Sequence, residues 1–461
     1  MKNYAIVLAA GKGTRMKTEL PKCAYPILKK PMISYIYEAL EKSVVDEVIV
    51  VVGHKKEVIM DILKDKVMYA EQKEQLGTAD ACKAAREFVV EDGNTIILPG
   101  DMPLVTTELI NRAFSAHKER RYDLTICTTK VNDPTGYGRI VRGEEGIVEE
   151  IVEQLDANGT QLLINEINTG VYVCDNKLLF EALDKVKNNN AKNEYYLTDI
   201  VKILKQDKMI IGSCIIKDST ITMGVNDLYA LSIAEAKLRL EINKRHMYNG
   251  VAMINPETIT IGDNVIIEEN VQIHPNTYIT GDSIIHKGAS IGPNTEIHNS
   301  VIGQNVVCRH SLVYDSIVHE NTTIGPFAHL REGANIGPKN RIGNFVEVKK
   351  SSTKENTKAS HLAYIGDTEC GANVNFGCGS ITVNYDGINK HKTIIGDNVF
   401  IGCNVNMIAP IKIENNSFIA AGSTINKDVP GSALAIARAK QVNKVDYIQN
   451  LPINKKFVDN K

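Results

Sequence analysis

An isoleucine returns at every sixth position of residues 261–297, which read IGDNVIIEENVQIHPNTYITGDSIIHKGASIGPNTEI. A period of six does not match the 3.6-residue repeat of an α-helix. It suits a solenoid of short strands, in which one apolar side chain per strand points into the core at each coil. This stretch therefore predicts a β-solenoid in the second half of the chain.

The same register returns twice further along the chain. It resumes at Ile324, Leu330, Ile336, Ile342 and Val348, and again at Ile395, Ile401, Met407, Ile413, Ile419 and Ile425. Glycine often follows the apolar position, as in Ile342-Gly343, and we expect it to permit a tight corner. A basic segment at 349–364 and a polar insertion at 384–392 are expected to break the register. Loops on rigid scaffolds often carry function, so both are candidate functional segments.

The first half of the chain alternates strand-like and helix-like segments. Apolar runs predict strands at 4–10, 44–53 and 95–98, and helical spacing predicts a helix at 31–42. This alternation predicts an open, Rossmann-like α/β sheet with ligands at the carboxyl ends of its strands. A polar stretch at 230–248 predicts a connecting helix, which divides the chain into domains 1–229 and 250–461 with a linker at 230–249.

Composition excludes several classes of protein. With 461 residues, 43% hydrophobic and 23% charged, the chain fits two or three globular domains. A net charge of −2 favours neither a nucleic-acid binder nor a membrane-surface protein. The nine cysteines include no C-x-x-C pair, which indicates neither a disulfide framework nor a zinc site. No apolar run has the length of a signal peptide or a membrane span, so we expect a cytoplasmic protein.

A glycine-rich segment follows the first predicted strand directly. It begins at Leu8-Ala9-Ala10-Gly11 and continues through Gly13 to Arg15. Such a loop brings backbone N–H groups close to phosphates, and Arg15 adds a fixed positive charge. Lys22, after Pro21, adds a second cation. A loop of this kind alone is as often a simple turn, but here the string L-A-A-G-x-G-x-R-M followed by P-K resembles the signature of sugar-1-phosphate nucleotidyltransferases.

That resemblance extends in order along the first half and implies a role for each matching residue. Gln72 and the backbone near Gly77 and Thr78 match the uracil-recognising segment, and Asp101 and Asn226 match the ligands of a Mg²⁺ ion. Gly138, Glu153 and Asn168 match sugar contacts. The family often has Tyr-Gly-Asp where this chain has Pro99-Gly100-Asp101, so a contact of that tyrosine side chain does not carry over to this chain.

The solenoid resembles the hexapeptide repeats of left-handed parallel β-helices, which commonly form homotrimers with acyl-CoA sites between subunits. Nearly the whole chain resembles the bacterial family that joins N-acetylglucosamine-1-phosphate uridylyltransferase to glucosamine-1-phosphate acetyltransferase. This resemblance implies that His361 is the general base, a task that suits a group titrating near neutral pH. It also implies sugar-phosphate ligands at Arg331, Lys349, Tyr364 and Asn375, and acetyl-CoA contacts at Asn384, Tyr385, Cys403, Ala421 and Arg438.

These matches predict a two-step synthesis. Acetyl-CoA would acetylate glucosamine-1-phosphate, and UTP would then convert N-acetylglucosamine-1-phosphate to UDP-N-acetylglucosamine, a precursor of peptidoglycan and other envelope polymers. The family usually has serine at the position of Cys403, so a role specific to the hydroxyl is lost. A thiol nucleophile is not needed, because acetyl transfer to an amine is direct. Two alternatives remain: a nucleotidyltransferase whose solenoid serves only assembly or regulation, and a noncatalytic trimeric scaffold.

Overall fold

The computed structural model describes residues 1–11, 13–143 and 146–458; Lys12 of the glycine-rich segment lies outside them. The chain divides into two compact units, Met1–Arg239 and Leu240–Lys461. The division falls inside a 21-residue helix, Leu228–Tyr248, which covers the predicted connecting helix. The domain limits at 229 and 250 remain predictions; position 229 lies in the first turn of this helix, and position 250 lies just beyond its end.

The first unit is built on a mostly parallel sheet. Its strands are β1 (Lys2–Leu8), β2 (Pro26–Ile27), β3 (Lys30–Pro31), β4 (Glu47–Val52), β5 (Met68–Glu71), β6 (Gly93–Pro99), β7 (Leu124–Lys130), β8 (Arg139–Arg142), β9 (Val148–Val152), β10 (Glu166–Asp175) and β11 (Ile211–Ile216). The main order is β11-β7-β10-β6-β1-β4-β5, with β8 and β9 attached beside β10 and a separate β2–β3 pair. The predicted α/β sheet is confirmed, and β10, antiparallel to β6 and β7, is an addition that the sequence did not indicate.

Both faces of this sheet are covered. On β1, Tyr4 and Ile6 pack into one apolar cluster, while Ala5 and Val7 pack into another on the opposite face. A continuous apolar run is typical of a strand buried on both sides. Helices provide the cover: α1 (Met32–Glu41), α2 (Lys56–Leu63), α3 (Thr78–Ala84), α4 (Thr107–Glu119), α5 (Asn176–Lys185) and α6 (Asp199–Gln206). The long helix α7 (Leu228–Tyr248) contributes Leu231 and Ala234 to a separate apolar cluster.

The second unit is a parallel β-helix. Its strands are β12 (Ala252–Met253), β13 (Thr260–Ile261), β14 (Ile266–Ile267), β15 (Gln272–Ile273), β16 (Thr277–Thr280), β17 (Ile284–Ile285), β18 (Ser290–Ile291), β19 (Thr295–His298), β20 (Val301–Ile302), β21 (Val307–Cys308), β22 (Leu312–Tyr314), β23 (Ile317–Val318), β24 (Thr323–Ile324), β25 (His329–Leu330), β26 (Asn335–Ile336), β27 (Arg341–Lys349), β28 (Ser352–Thr353), β29 (Lys358–Gly366), β30 (Thr368–Cys370), β31 (Asn375–Phe376), β32 (Ser380–Val383), β33 (Thr393–Ile395), β34 (Phe400–Ile401), β35 (Asn406–Ile408), β36 (Ile411–Ile413), β37 (Phe418–Ile419), β38 (Thr424–Ile425) and β39 (Leu434–Ala435). They form a 19-stranded and a nine-stranded parallel sheet, and a short helix, α8 (Asn454–Val458), follows.

The six-residue register is confirmed, because every apolar position that it predicted is buried. The gap between Ile297 and Ile324 is not an interruption of the helix. Ile302, Cys308, Val313 and Val318 fill the core there. Some of these steps are one residue shorter than six, so a search for a strict period misses them.

The two predicted breaks have different outcomes. The expected loop at 349–364 is wrong, because β28 and most of β29 lie there, and β29 pairs in parallel with β27 along its length. Its lysines simply occupy outward positions of regular coils. The segment 384–392 is a true insertion between β32 and β33, closed by a bridge between Tyr385 and Lys390.

The expectation for the corner glycines also needs correction. Gly292 has a φ of +94°, but Gly343 is not in the left-handed region. Glycine is needed at 343 because a Cβ would lie 2.0 Å from the carbonyl oxygen of Ser360 on the next coil. The left-handed corner positions are mostly asparagines, which tolerate this conformation; they include Asn276, Asn294, Asn356, Asn373, Asn398 and Asn416.

Candidate active sites

A cavity of about 390 Å³ opens at the carboxyl ends of β1 and β6. This is the edge at which open α/β sheets bind ligands. Of the nucleotide and sugar residues predicted from sequence, nine line it: Leu8, Ala10, Gly11, Lys22, Gln72, Gly77, Thr78, Glu153 and Asn168; the metal candidate Asp101 lines it as well.

Four polar side chains meet at the mouth of this cavity. The Lys22 ammonium donates to a carboxylate oxygen of Asp101 and, over 2.7 Å, to Oδ1 of Asn226. The Arg15 guanidinium donates to the same Asn226 oxygen over 2.8 Å. A backbone bond from Val225 N to Asp101 O, 2.9 Å, holds the two chain segments together. Residues more than 200 positions apart in sequence thus face one point.

This cluster suits a hard divalent cation. Oδ2 of Asp101 and Oδ1 of Asn226 already share a positive group, the Lys22 ammonium, and both are oxygen donors of the type that Mg²⁺ prefers. Within residues 1–11, 13–143 and 146–458, no group of three or more His, Cys, Asp or Glu side chains could hold a metal. The protein offers two oxygens, and Mg²⁺ commonly completes its shell with phosphate oxygens and water. The residues therefore fit Mg²⁺.

The segment matched to uracil recognition is held by its own hydrogen bonds. The Gln72 amide donates to Gly77 O over 3.0 Å and to a carboxylate oxygen of Asp80 over 2.8 Å. Thr78 Oγ1 accepts the backbone N–H of Leu197 over 2.9 Å. Gln72 is buried despite being polar, so its orientation is fixed before any ligand enters.

Glu153 and Asn168, two of the three sugar candidates, also line the cavity. Asn168 N donates to Gly138 O over 2.9 Å, and Glu153 accepts a weak bond of 3.5 Å from Thr198 Oγ1. Burial raises the pKa of the Glu153 carboxyl, although Lys192 opposes the shift. Pro99, the departure from the family pattern, forms part of the wall beside Gly170, where a Cβ would lie 2.8 Å from the proline ring.

Some predictions and the cavity do not coincide. Ala9 is buried in the core, and Arg15, Gly138 and Asn226 lie near the cavity without lining it. Sequence reasoning missed several lining residues, among them Cys23, Tyr172, Glu194 and Thr198. The apolar or turn-forming context of these residues gave no signal. Burial and the charge of Asp101 raise the pKa of the Cys23 thiol to about 12, so it stays protonated and is no nucleophile.

In the second unit, one corner of the β-helix is basic. Arg331 and Lys349 occupy equivalent positions on adjacent coils, because Leu330 is in register with Val348. Arg331 donates to Oε1 of Glu347 over 2.6 Å. Lys390 of the insertion contacts Lys349, and together with Arg331 it lowers the pKa of the Lys349 ammonium. We call Arg331, Lys349 and Lys390 the basic corner; Lys390 was missed from sequence, where it was one lysine within a polar loop.

The insertion that carries Lys390 is braced internally. Asp386 accepts the backbone N–H groups of Asn389 (2.6 Å) and Ile388 (2.8 Å) and the Nε2 of His391 (2.7 Å). These donors hold the pKa of Asp386 well below its usual range. At its base, Asn384 donates to Asp367 over 2.5 Å and to the Tyr364 hydroxyl over 3.4 Å. The structure thus brings Tyr364, Asn384 and the basic corner together.

A second corner carries His361. The strand register pairs Ala359 with Phe376 and Ala363 with Ser380 at one constant offset, so Cys378 occupies the position of His361 on the next coil. By the same reasoning Cys403 and Ala421 follow on the next two coils. Arg438, one coil further, donates to Ala421 O over 2.9 Å. We call His361, Cys378, Cys403 and Ala421 the His361 corner.

The structure does not gather all the proposed acetyl-site residues in one place. Tyr364 follows the His361 corner along its coil, whereas Asn375 precedes Cys378 at the same corner, on the opposite side. His361 and the basic corner stand at the two ends of one strand segment, up to about 16 Å apart at the rise of an extended chain.

Both units of the chain match known protein families. A family described as nucleotidyl transferase matches residues 4–220, one described as GMPPB C-terminal domain matches 261–352, and one described as bacterial transferase hexapeptide (six repeats) matches 392–427.

Relatives match almost the full length. A protein of Acholeplasma laidlawii named "Bifunctional protein GlmU" is 62% identical over 98% of this chain and 98% of its own. Proteins of the same name from an Exiguobacterium species and Listeria welshimeri are each 48% identical, over 97% and 98% of this chain and 99% of their own. With both units and nearly every residue matched at this identity, the chain belongs to the family of bifunctional GlmU proteins.

Proposed function

We propose that this enzyme makes UDP-N-acetylglucosamine in two steps, one in each unit. Acetyl-CoA first acetylates glucosamine-1-phosphate, and UTP then reacts with N-acetylglucosamine-1-phosphate to release pyrophosphate. The product feeds peptidoglycan and other envelope polymers. The observation that carries the proposal is the presence, in one chain, of a cation-lined cavity in the nucleotidyltransferase unit and of His361 with a basic corner in the hexapeptide unit.

In the first unit, a phosphate oxygen of the sugar attacks the α-phosphorus of UTP, and the bond to the β-phosphate oxygen breaks. Such a step needs alignment and charge neutralisation more than covalent help. Lys22 and Arg15 neutralise the reacting phosphate and the departing pyrophosphate. Gln72 with the Gly77–Thr78 backbone orients the base, and Glu153 and Asn168 hold the sugar. Asp101 and Asn226 would hold a Mg²⁺ ion, which would supply charge stabilisation to the triphosphate.

Lys22 and Arg15 must exchange partners for this to occur. Both now donate to Asn226, and Lys22 also donates to Asp101. Substrate phosphates would accept hydrogen bonds from Lys22 and Arg15, and the oxygens of Asp101 and Asn226 would then be free to bind a metal ion. The free enzyme thus keeps its phosphate-binding cations oriented toward the site before the substrate arrives.

In the second unit, His361 takes a proton from the sugar amine as the nitrogen attacks the acetyl carbon. The new C–N bond forms, the C–S bond breaks, and the CoA sulfur leaves. Arg331, Lys349 and Lys390 bind the phosphate of the sugar, because three cations at one corner match a dianion. Tyr364 and Asn375 contact the sugar, and Asn384, Tyr385, Cys403, Ala421 and Arg438 contact acetyl-CoA.

The acetyl site is completed in a homotrimer. In one chain, Tyr364 and Asn375 lie on opposite sides of the His361 corner, so one sugar cannot reach both without a second subunit. Closed three-fold assembly repeats each interface three times and gives three equivalent sites. The partners of the enzyme are therefore small-molecule substrates and copies of itself, with no role for nucleic acid.

The enzyme acts in the cytoplasm, where its substrates UTP and acetyl-CoA are made. Across the described parts of the chain, no helix is both long and apolar enough to cross a membrane.

One reaction mixture tests the proposal. The purified chain is incubated with glucosamine-1-phosphate, acetyl-CoA, UTP and Mg²⁺, and the sugar nucleotide is identified by mass. We expect the mass of UDP-N-acetylglucosamine, and we expect only acetylated sugar phosphate when UTP is omitted. Pyrophosphate release from pre-acetylated sugar without any acetyl transfer would instead favour a nucleotidyltransferase whose solenoid serves assembly or regulation.

A further inference from the structure

The nine cysteines of the chain differ sharply in exposure. Seven are buried: Cys23, Cys82, Cys127, Cys174, Cys214, Cys308 and Cys370. Only Cys378 and Cys403 are exposed, and all nine lie within the described residues. Thiol chemistry with a dissolved reagent requires access, so these two are the thiols that such a reagent can reach.

The two exposed thiols occupy the same position on adjacent coils. Phe376 is in register with Ile401 before them, and Ile381 with Asn406 after them, at one constant offset. The backbone N–H of Asn404 donates to the carbonyl oxygen of Cys378 over 2.8 Å, which ties the two turns together. Adjacent strands lie about 4.8 Å apart, and disulfide-bonded cysteines have Cα atoms about 4.4–6.8 Å apart. The spacing of the coils therefore permits a disulfide.

The pair stands inside the His361 corner. His361 occupies the equivalent position one coil before Cys378, and Ala421 occupies it one coil after Cys403. The cysteines thus lie between the proposed general base and the proposed acetyl-CoA contacts. A bond between the two side chains fixes the adjacent coils together at the place where we propose that the thioester lies.

We propose that Cys378 and Cys403 form a redox modification site, at which a low-molecular-weight disulfide cross-links the two thiols and stops acetyl transfer. The consequence for activity rests on the proposed function, whereas the cross-link itself rests only on exposure and register. Uridylyl transfer continues in the oxidised enzyme, because its matched residues all belong to the other unit.

The chemistry is thiol–disulfide exchange. One protein thiolate attacks a sulfur of the small disulfide RSSR, forms a mixed disulfide and expels one RS⁻. The second protein thiolate attacks the protein sulfur of that mixed disulfide, forms the Cys378–Cys403 bond and expels the second RS⁻. Two protein thiols lose their protons and are oxidised by two electrons, and RSSR is reduced to two RSH.

The test uses the full chain and glutathione disulfide. After incubation, the protein is digested without reduction and mapped by mass, and both activities are measured before and after dithiothreitol. We expect a peptide pair linked through Cys378 and Cys403 and a loss of acetyl transfer of about 10²-fold, the cost of displacing reacting groups by an ångström or so. We expect uridylyl transfer to be unchanged and dithiothreitol to restore acetylation.

The matched control is Cys378→Ser, which keeps Cys403 at its proposed acetyl-CoA position. It should retain acetyl transfer before oxidation and lose the cross-link and most of the inhibition after it. Two separate glutathione adducts with no cross-link would overturn the proposal, as would a cross-linked enzyme that acetylates at its full rate. An untreated enzyme with no acetyl transfer would contradict the proposed function instead, and the peptide map would still decide the cross-link.

Discussion

The nucleotide cavity and the His361 corner arrange their residues in opposite ways. In the first unit, Arg15, Lys22, Asp101 and Asn226 come from distant parts of the sequence and meet at one point through hydrogen bonds. In the second, one residue per coil follows the same corner, in the order His361, Cys378, Cys403, Ala421 and Arg438, and each lies about one strand spacing from the next. A sheet edge concentrates groups, whereas a β-helix spreads them along a line.

The difference matches the ligands. A phosphoryl transfer concentrates charge within a few ångströms, which suits a convergent cluster. Four coil spacings separate His361 from Arg438, roughly 19 Å at the strand spacing of a β-sheet. Groups so far apart on one chain suit a long ligand that is held between neighbouring copies, as proposed above for acetyl-CoA.

The largest expected effect separates the two regions. His361→Ala should slow acetyl transfer by about 10²–10⁴-fold, the usual contribution of a general base, and leave uridylyl transfer unchanged. Both rates are measured on one preparation with each substrate pair. The control is His319→Ala, an exposed histidine of the same β-helix that contacts Asn335. Equal loss of both activities would indicate misfolding, and full acetylation would remove His361 from the mechanism.

A substitution at the nucleotide cavity should have the opposite effect, a loss of uridylyl transfer without a loss of acetyl transfer. Asp101→Ala removes the charged oxygen of the metal-ligand pair, and it should slow pyrophosphate release by about 10²–10³-fold, the cost of losing one preorganised electrostatic group. Acetyl transfer should continue at its normal rate. The control is Asp61→Ala, an exposed aspartate on α2 of the same unit. Uridylyl transfer that stays normal at ordinary Mg²⁺ would place the metal elsewhere.

Mixing two inactive variants should restore acetyl transfer if each acetyl site is shared between subunits. It should not restore uridylyl transfer, whose proposed residues all belong to one chain. His361→Ala chains co-assembled with Arg438→Ala chains in equal amounts should regain about a quarter of the acetyl-transfer rate, because a shared site then draws both intact residues from different subunits. Each variant assembled alone is the control. No recovery would mean that one chain supplies the whole site, and a monomer in light scattering would contradict the trimer directly.

The smallest effect concerns stability. Burial raises the folded-state pKa of Glu153, so the folded protein loses stability as pH rises past the pKa of an ordinary glutamate. Glu153→Gln removes that penalty, and it should raise the melting temperature at pH 7 by about 2 °C relative to its effect near pH 4. It should also weaken uridylyl transfer. The control is the exposed Glu181→Gln on α5. A pH-independent change in melting temperature would show that Glu153 ionises as freely in the folded state as in the unfolded one.

The core of the β-helix could be read from sequence because its period is local. Each inward-pointing isoleucine marks one short strand of the β-helix, and the predicted positions from Ile261 to Ile425 are buried. The prediction missed the core positions where a coil is shorter by a residue, as at Ile302 and Val318. It was wrong at 349–364, where outward-facing lysines on regular coils give the same pattern as a basic loop. Period detection assumes a constant step, and charge alone does not distinguish an exposed strand face from a loop.

For the site, the sequence predicted which residues take part, but not the contacts between them. Sequence indicated Lys22, Asp101 and Asn226, but their mutual hydrogen bonds depend on how β1, β6 and the segment before α7 come together. Lys390 was missed because its neighbour, Lys349, lies on another coil. Contacts between coils depend on which residues of neighbouring strands are paired. The sequence predicts that pairing only where the repeat is regular, and the insertion is not part of the repeat.

The insertion at 384–392 shows how such a fold acquires new chemistry. The coil register is intact on both sides of it, from Thr382 with Met407 to Thr393 with Ile411. A hairpin can therefore be inserted at a corner of the β-helix without moving the side chains that point into the core. Evolution can lengthen a corner in one coil, try a new set of polar groups there, and leave the architecture of every neighbouring coil untouched.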